Sequence, residues 1–137
     1  MSDPVPGSDP LAAAALAARA QAYAPYSRFL VGAAIEASDG RVFAGCNVEY
    51  ASYPLSVCAE RNAIAAAVVA GVRSFRVIAI ATDTSPPSPP CGACRQALRE
   101  FGRDLRIVLV NPRGERVETT LAAVLPHSFG PEHLTTT

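Results

Sequence analysis

The chain has 137 residues, room for one domain around a single core. With 50% hydrophobic and 18% charged residues, it is not a largely disordered chain. Twelve basic residues, all of them Arg and scattered from Arg19 to Arg116, balance 12 acidic ones to a formal net charge of zero, which disfavours a nucleic-acid partner.

Taken in order, residues 1–8 read as a disordered tail and 9–137 as one domain. The acidic, proline-rich start from Met1 to Pro10 has neither the basic residues nor the apolar stretch of a signal peptide. Asp9-Pro10 predicts a helix start, with Asp as N-cap and Pro in the first turn, and the Ala-rich stretch 11–23 carries the helix to a stop at Pro25. Phe29 to Ala37 and Arg41 to Val48 read as strands joined by the turn Ser38-Asp39-Gly40. A second helix is expected from Cys58 to Ala70, closed by Gly71.

Phe75 to Ala81 reads as a buried strand, and the four prolines within Ser85 to Pro90 require a loop. A short helix is expected from Cys91 or Gly92 to Phe101. Arg106 to Val110 is another buried strand, Asn111 to Gly114 a turn, and Arg116 to Thr119 an edge strand before a helical turn at 120–125. The sum is an α/β domain with a central mixed sheet of about five strands packed by helices. No run reaches the roughly 20 apolar residues of a membrane span, and a cytoplasmic location is expected. In that compartment four cysteines point to a metal or to chemistry before disulfides.

The chemistry concentrates in Cys58-Ala59-Glu60 and Pro90-Cys91-Gly92-Ala93-Cys94. Cys58, Cys91 and Cys94 offer three thiolates, one short of a full tetrahedral shell, and an open fourth position separates a catalytic zinc from a structural one. Both Cys58 and Cys91 are expected where a loop enters a helix, and there the N–H groups and the helix dipole favour a thiolate. Cys94, three residues after Cys91, shares its helical face. Glu60 is placed to carry protons to and from a zinc-activated water, and Arg61 to offset thiolate charge by donating to a ligand sulfur. This spacing is the signature of zinc deaminases of nucleobases.

Each piece alone has a plainer reading. Cys91-x-x-Cys94 alone fits a structural zinc knuckle or a redox pair, and Glu60 alone a solvated helix residue. Cys46 inside a strand is either a buried small hydrophobe or a fourth ligand of a structural site. Phe29 reads as core, while Asn47 and Glu49 share one face at a strand end, as a grip for a diol or as an exposed polar edge. Phe129, in a polar tail, suggests a partner surface.

From Tyr23 to Leu134 the chain resembles the small, three-cysteine, homotetrameric cytidine deaminases. The resemblance is carried by Ala24-Pro25-Tyr26-Ser27, Phe29 to Ala34, Gly45-Cys46-Asn47-Val48-Glu49, Ser52-Tyr53-Pro54, Cys58-Ala59-Glu60-Arg61, Pro90 to Gln96, and Leu125-Pro126 with Ser128-Phe129-Gly130-Pro131. It implies hydrolysis of cytidine and deoxycytidine to uridine and deoxyuridine with loss of ammonia, in pyrimidine salvage. One zinc ion per subunit would be held by Cys58, Cys91 and Cys94, with a zinc-bound hydroxide as the attacking group and Glu60 as proton shuttle. Arg61 would temper the thiolate charge. Phe29 would pack on the pyrimidine, Asn47 and Glu49 would hold the ribose, and the Ala59 backbone would read the base edge. Tyr53 and Phe129 would reach a neighbouring subunit's site in a homotetramer.

The chain departs from the family pattern at Tyr50, where the family usually carries Asn. That change bears on the ribose contacts and on substrate range. The competing readings are a deaminase of blasticidin or another modified nucleoside, and a non-catalytic structural zinc domain.

Overall fold

Asp9 opens the first helix, α1 (Pro10–Arg19), by accepting the Leu11 N–H at 3.0 Å. This computed structural model describes residues 9–134, so the tail expected at 1–8 lies outside the described residues. Helix α1 ends before residue 23, because Tyr23 turns aside to bridge Val48: its N–H donates to Asn47 O and its carbonyl accepts from Glu49 N. Strand β1 (Gly32–Ala37) starts later than Phe29 for a related reason. The Asn47 side chain takes the Val31 N–H at 2.9 Å and donates to Phe29 O at 2.7 Å, so this stretch is held by an amide side chain rather than a ladder.

After the turn at Gly40 come β2 (Val42–Cys46), a 3₁₀ turn at Tyr53–Leu55 and α2 (Ala59–Val69), which has Cys58 as its N-cap residue. Gly71, at φ 91°, closes α2 as expected. Strand β3 (Phe75–Ala81) matches its predicted span. Helix α3 (Gly92–Arg99) starts from Cys91 and stops short of Phe101. Then follow β4 (Arg106–Val110), β5 (Arg116–Thr120) and the single turn α4 (Leu121–Val124).

The strands form one mixed sheet in the order β2-β1-β3-β4-β5, with β3 and β4 parallel and the other neighbours antiparallel. Strand β3 is buried on both faces, which is why it reads as an unbroken apolar run. Ile78 and Ile80, with Ile35, Ile107 and Leu109, face Ala63, Ile64 and Ala67 of α2 and Leu98 of α3. Val77, Ala79 and Ala81, with Ala34, Val108 and Val110, lie under Leu11, Ala12 and Ala15 of α1. Each fully buried Ile or Leu contributes roughly 1.5–3 kcal/mol, so the isoleucine-rich α2/α3 face forms the heavier half of the core.

This topology decides where chemistry can occur. Helix α2 leads into the start of β3, and α3 leaves from its end. Both helix N-termini therefore meet at the end of β3, one bringing Cys58 and the other Cys91.

Candidate metal centre and active-site cavity

The three expected thiols converge. Sγ of Cys58, Cys91 and Cys94 all lie within 4.8 Å of one another, with Cys58 and Cys91 4.0 Å apart. A tetrahedral zinc with Zn–S bonds of about 2.3 Å sets its sulfurs about 3.8 Å apart, so this donor set fits the ion. Cys58 and Cys91 are N-cap residues of α2 and α3, and neither makes a side-chain cap bond, which leaves both sulfurs free to point at each other. Cys94 lies in the first turn of α3 and is fully buried. Cys46 is no part of the cluster. It ends β2 half-buried, and its carbonyl accepts from Asn62 Nδ2 at 2.8 Å.

The electrostatics suit a metal. Hydrogen bonding from the Cys94 thiol, with the Arg61 guanidinium helping, brings the Cys58 thiol down to about 5. Cys94, as the donor to that thiolate and a buried group, is pushed up. Arg61 Nη2 donates to Cys58 Sγ at 3.5 Å, so the guanidinium lies against a thiol of the cluster. Glu60, in the first turn of α2, is 5% exposed, and burial raises its carboxyl above the ordinary range, with the Cys58 charge adding to the effect. A raised carboxyl holds its proton more readily than an exposed one, the direction a proton carrier needs.

Glu60, Cys58 and Cys91 line a cavity of about 200 Å³ together with Phe29, Asn47 and Ala59, among others. Ala59 is the first residue of α2, where an amide has no intrahelical acceptor and is free for a ligand. Phe29 is 42% exposed, a wall of the cavity rather than the core residue its strand position suggests. The larger cleft beside Arg99, Arg103, Asp104 and His133 lies towards the other end of α3 and contains no member of the cluster.

Glu49 and Tyr53 line an adjoining cavity of about 430 Å³ with Tyr26, Ser27 and Ser56. Glu49 accepts the N–H groups of Tyr26 and Ser27 and the Ser27 hydroxyl, and the Ser27 bonds hold its carboxyl below the ordinary range. Asn47 and Glu49 thus both brace the segment leading to Phe29. Tyr53 is 69% exposed and meets Tyr26 edge to face at 5.8 Å. Tyr50 is exposed, and its N–H donates to Ser56 Oγ at 3.1 Å, closing the loop in front of Cys58.

Phe129 stands away from the cavity of its own chain. Its ring stacks on His133 and its carbonyl accepts from Gln96 Nε2 at 2.9 Å. Buried Arg99 donates to Ser128 Oγ at 2.7 Å and pairs with Glu132, while Arg95 ties Pro90 O to Val124 O at 2.8 Å each. Helix α3 therefore carries two thiols at one end and fixes the Phe129 segment along its length.

Thr82, Ser88 and Pro89 also line the metal cavity, and the motif reading did not single them out. Their signal was present as Thr and Ser placed between β3 and Cys91, but among four prolines they read as ordinary loop.

Comparison with known proteins places this site among deaminases. Residues 8–110 match the family model described as the cytidine and deoxycytidylate deaminase zinc-binding region. A cytidine deaminase of Sporosarcina psychrophila is 49% identical over 118 residues, 85% of this chain and 87% of that protein. One from Halalkalibacterium halodurans is 46% identical over 88% of this chain and 92% of its own length. The crystal structure of cytidine deaminase from Burkholderia pseudomallei superposes with a TM-score of 0.85 at 50% identity, covering 89% of this chain and 98% of that one.

Proposed function

We infer the function from one premise: the chain belongs to the cytidine and deoxycytidylate deaminase family. It is a zinc-dependent hydrolase that deaminates cytidine, and by the same chemistry deoxycytidine, to the uridine nucleoside and ammonia. The observation that carries this is the three-thiol cluster, two of whose members, Cys58 and Cys91, line the same cavity as the buried Glu60.

Zinc held by Cys58, Cys91 and Cys94 supplies a Lewis-acid position that makes water acidic near neutral pH. Glu60 would take one proton from the attacking water and deliver it to the ring nitrogen, then carry that water's second proton to the departing amine. Its raised carboxyl suits both halves of that task. Arg61, bonded to Cys58 Sγ, offsets the charge of three thiolates. The Ala59 amide binds the base edge and Phe29 packs against the pyrimidine. Asn47 and Glu49 hold the ribose, a role supported by their position beside the cavity and by the segment they brace.

The active form in this reading is a homotetramer in which Tyr53 and Phe129 enter a neighbouring subunit's site. Supporting it are the exposed rings of both residues, the open Glu49 cavity, and a Phe129 that its own chain holds by the backbone while leaving its ring free of the cavity. A cytoplasmic role in pyrimidine salvage follows from the same reading.

The test is ammonia release from cytidine, deoxycytidine and cytosine, before and after chelation and zinc restoration. Turnover of both nucleosides but not of the free base, lost and regained with zinc, is the expected result. A chain that holds one zinc and turns over neither nucleoside would sink the reading.

A further inference from the structure

We propose that Ser88 determines specificity, presenting hydrogen-bond acceptor lone pairs to the metal end of the cavity and favouring a ligand with an amino group there over one with an oxo group. The proposal rests on the deaminase reading above.

The direction of the Ser88 proton follows from counting hydrogens. A threonine hydroxyl has one proton to give and two lone pairs to receive. Thr84 Oγ1 gives its proton to Pro86 O, 2.7 Å away, a carbonyl with nothing to donate in return. Ser88 Oγ, 2.6 Å from Thr84 Oγ1, must then be the donor in that pair. Thr82 Oγ1, 3.2 Å from Thr84 Oγ1, donates to the remaining lone pair and itself accepts the Ser88 N–H at 3.0 Å. The loop thus fixes Ser88 at both its amide and its hydroxyl. With its one proton committed to Thr84, Ser88 Oγ has only lone pairs left to offer a ligand, and Ser88 is one of the residues that line the cavity.

Position completes the argument. Ser88 and Pro89 lead directly to Cys91, and Arg95 anchors the intervening Pro90 carbonyl at 2.8 Å, so this wall stands next to the metal ligands. The carbon that loses its amine has to face the thiol cluster and Glu60. Hydrolysis breaks its C–N bond, forms a C–O bond to the oxygen of water and releases ammonia. Before reaction the substituent at this carbon is a donor, and an acceptor at Ser88 receives it. Afterwards it is an oxo group, and two acceptors face each other, which weakens product binding.

The test uses zinc-loaded protein and two readouts, steady-state kinetics on cytidine and equilibrium binding of uridine. Ser88→Ala should raise the cytidine KM about fivefold, the scale of one neutral hydrogen bond, with uridine binding no weaker than in the parent. Thr84→Val removes the group that claims the Ser88 proton, so Ser88 can turn and donate to the oxo group. Uridine should then bind about fivefold tighter, while Thr84→Ser keeps parent behaviour. Ser88→Ala weakening both ligands by one factor, or uridine affinity failing to rise in Thr84→Val, overturns the proposal. The two variants perturb different atoms, so misfolding of one leaves the other decisive. Cytidine turnover by the parent is measured first on the same preparation, and its absence would count against the deaminase reading instead.

Discussion

Gly45 and Ala63 meet backbone to backbone: a Cβ on Gly45 would stand 2.5 Å from the Ala63 nitrogen and 2.7 Å from Ala59 O. The helix that carries Glu60, and begins at Cys58, therefore lies directly on β2, closer than any side chain permits. Asn62 reinforces the contact by donating to Cys46 O.

Gly45→Ala should push α2 off the sheet. The cost is that of overpacking a tight contact, about 1–3 kcal/mol of stability, together with weaker zinc retention because Cys58 moves with the helix. Thermal unfolding and zinc content per chain measure the two effects. An unchanged melting temperature would show that α2 yields without strain.

Glu60→Gln should reduce kcat/KM by roughly 10²–10⁴-fold while zinc stays at one per chain. Glutamine has the shape of the neutral carboxyl that burial favours, so stability should not fall. Turnover at the parent rate would remove Glu60 from the mechanism.

Phe129→Ala should leave each subunit folded, since its ring is 56% exposed, and raise the cytidine KM about tenfold, the loss expected for one aromatic contact. Mixing Phe129→Ala with Glu60→Gln chains and letting the subunits exchange gives a sharper result. If the proposed homotetramer shares its sites, a site with an intact Glu60 should then receive Phe129 from the other chain, and activity should return. No recovery after verified exchange would argue that the ring serves its own subunit.

Acid should loosen the junction of α1 and β5. Burial pushes the Asp9 carboxyl up, but Arg116, 2.8 Å away, and the Leu11 and Ala12 N–H groups outweigh it and hold the carboxyl below its ordinary value. A carboxyl lowered in the folded state contributes stability that is present above its unfolded value and is lost as pH falls through the folded one. Asp9→Asn keeps the cap and loses this dependence, so its stability should fall short of the parent's above the ordinary carboxylate range and converge with it as pH falls below that range. Parallel curves across that range would show that Asp9 does not titrate with folding.

The elements were legible where one local rule acted alone. The apolar run Phe75–Ala81 and the Asp9-Pro10 cap fell where side-chain chemistry put them. Boundaries shifted where a distant partner intervened, as when Asn47 took over the hydrogen bonds of Phe29 and Val31 and delayed β1. The thiols and Glu60 were legible because metal chemistry demands those residue types at that spacing. The hydroxyls of Thr82, Thr84 and Ser88 were not, since only the fold of a proline-rich loop brings them together. Phe29 misled for the opposite reason: an apolar residue entering a strand looks the same whether it faces a core or a ligand.

The Asp9–Arg116 pair joins positions 107 apart in the chain. During synthesis, therefore, α1 emerges first yet has its N-terminal anchor only after β5 has left the ribosome. Until then Leu11, Ala12 and Ala15 have no complete sheet to cover, because β4, with Val108 and Val110, is itself among the later strands. Helix α1 waits on strand β5, and a nascent chain halted before Arg116 leaves the alanine-rich apolar face of α1 without its anchor.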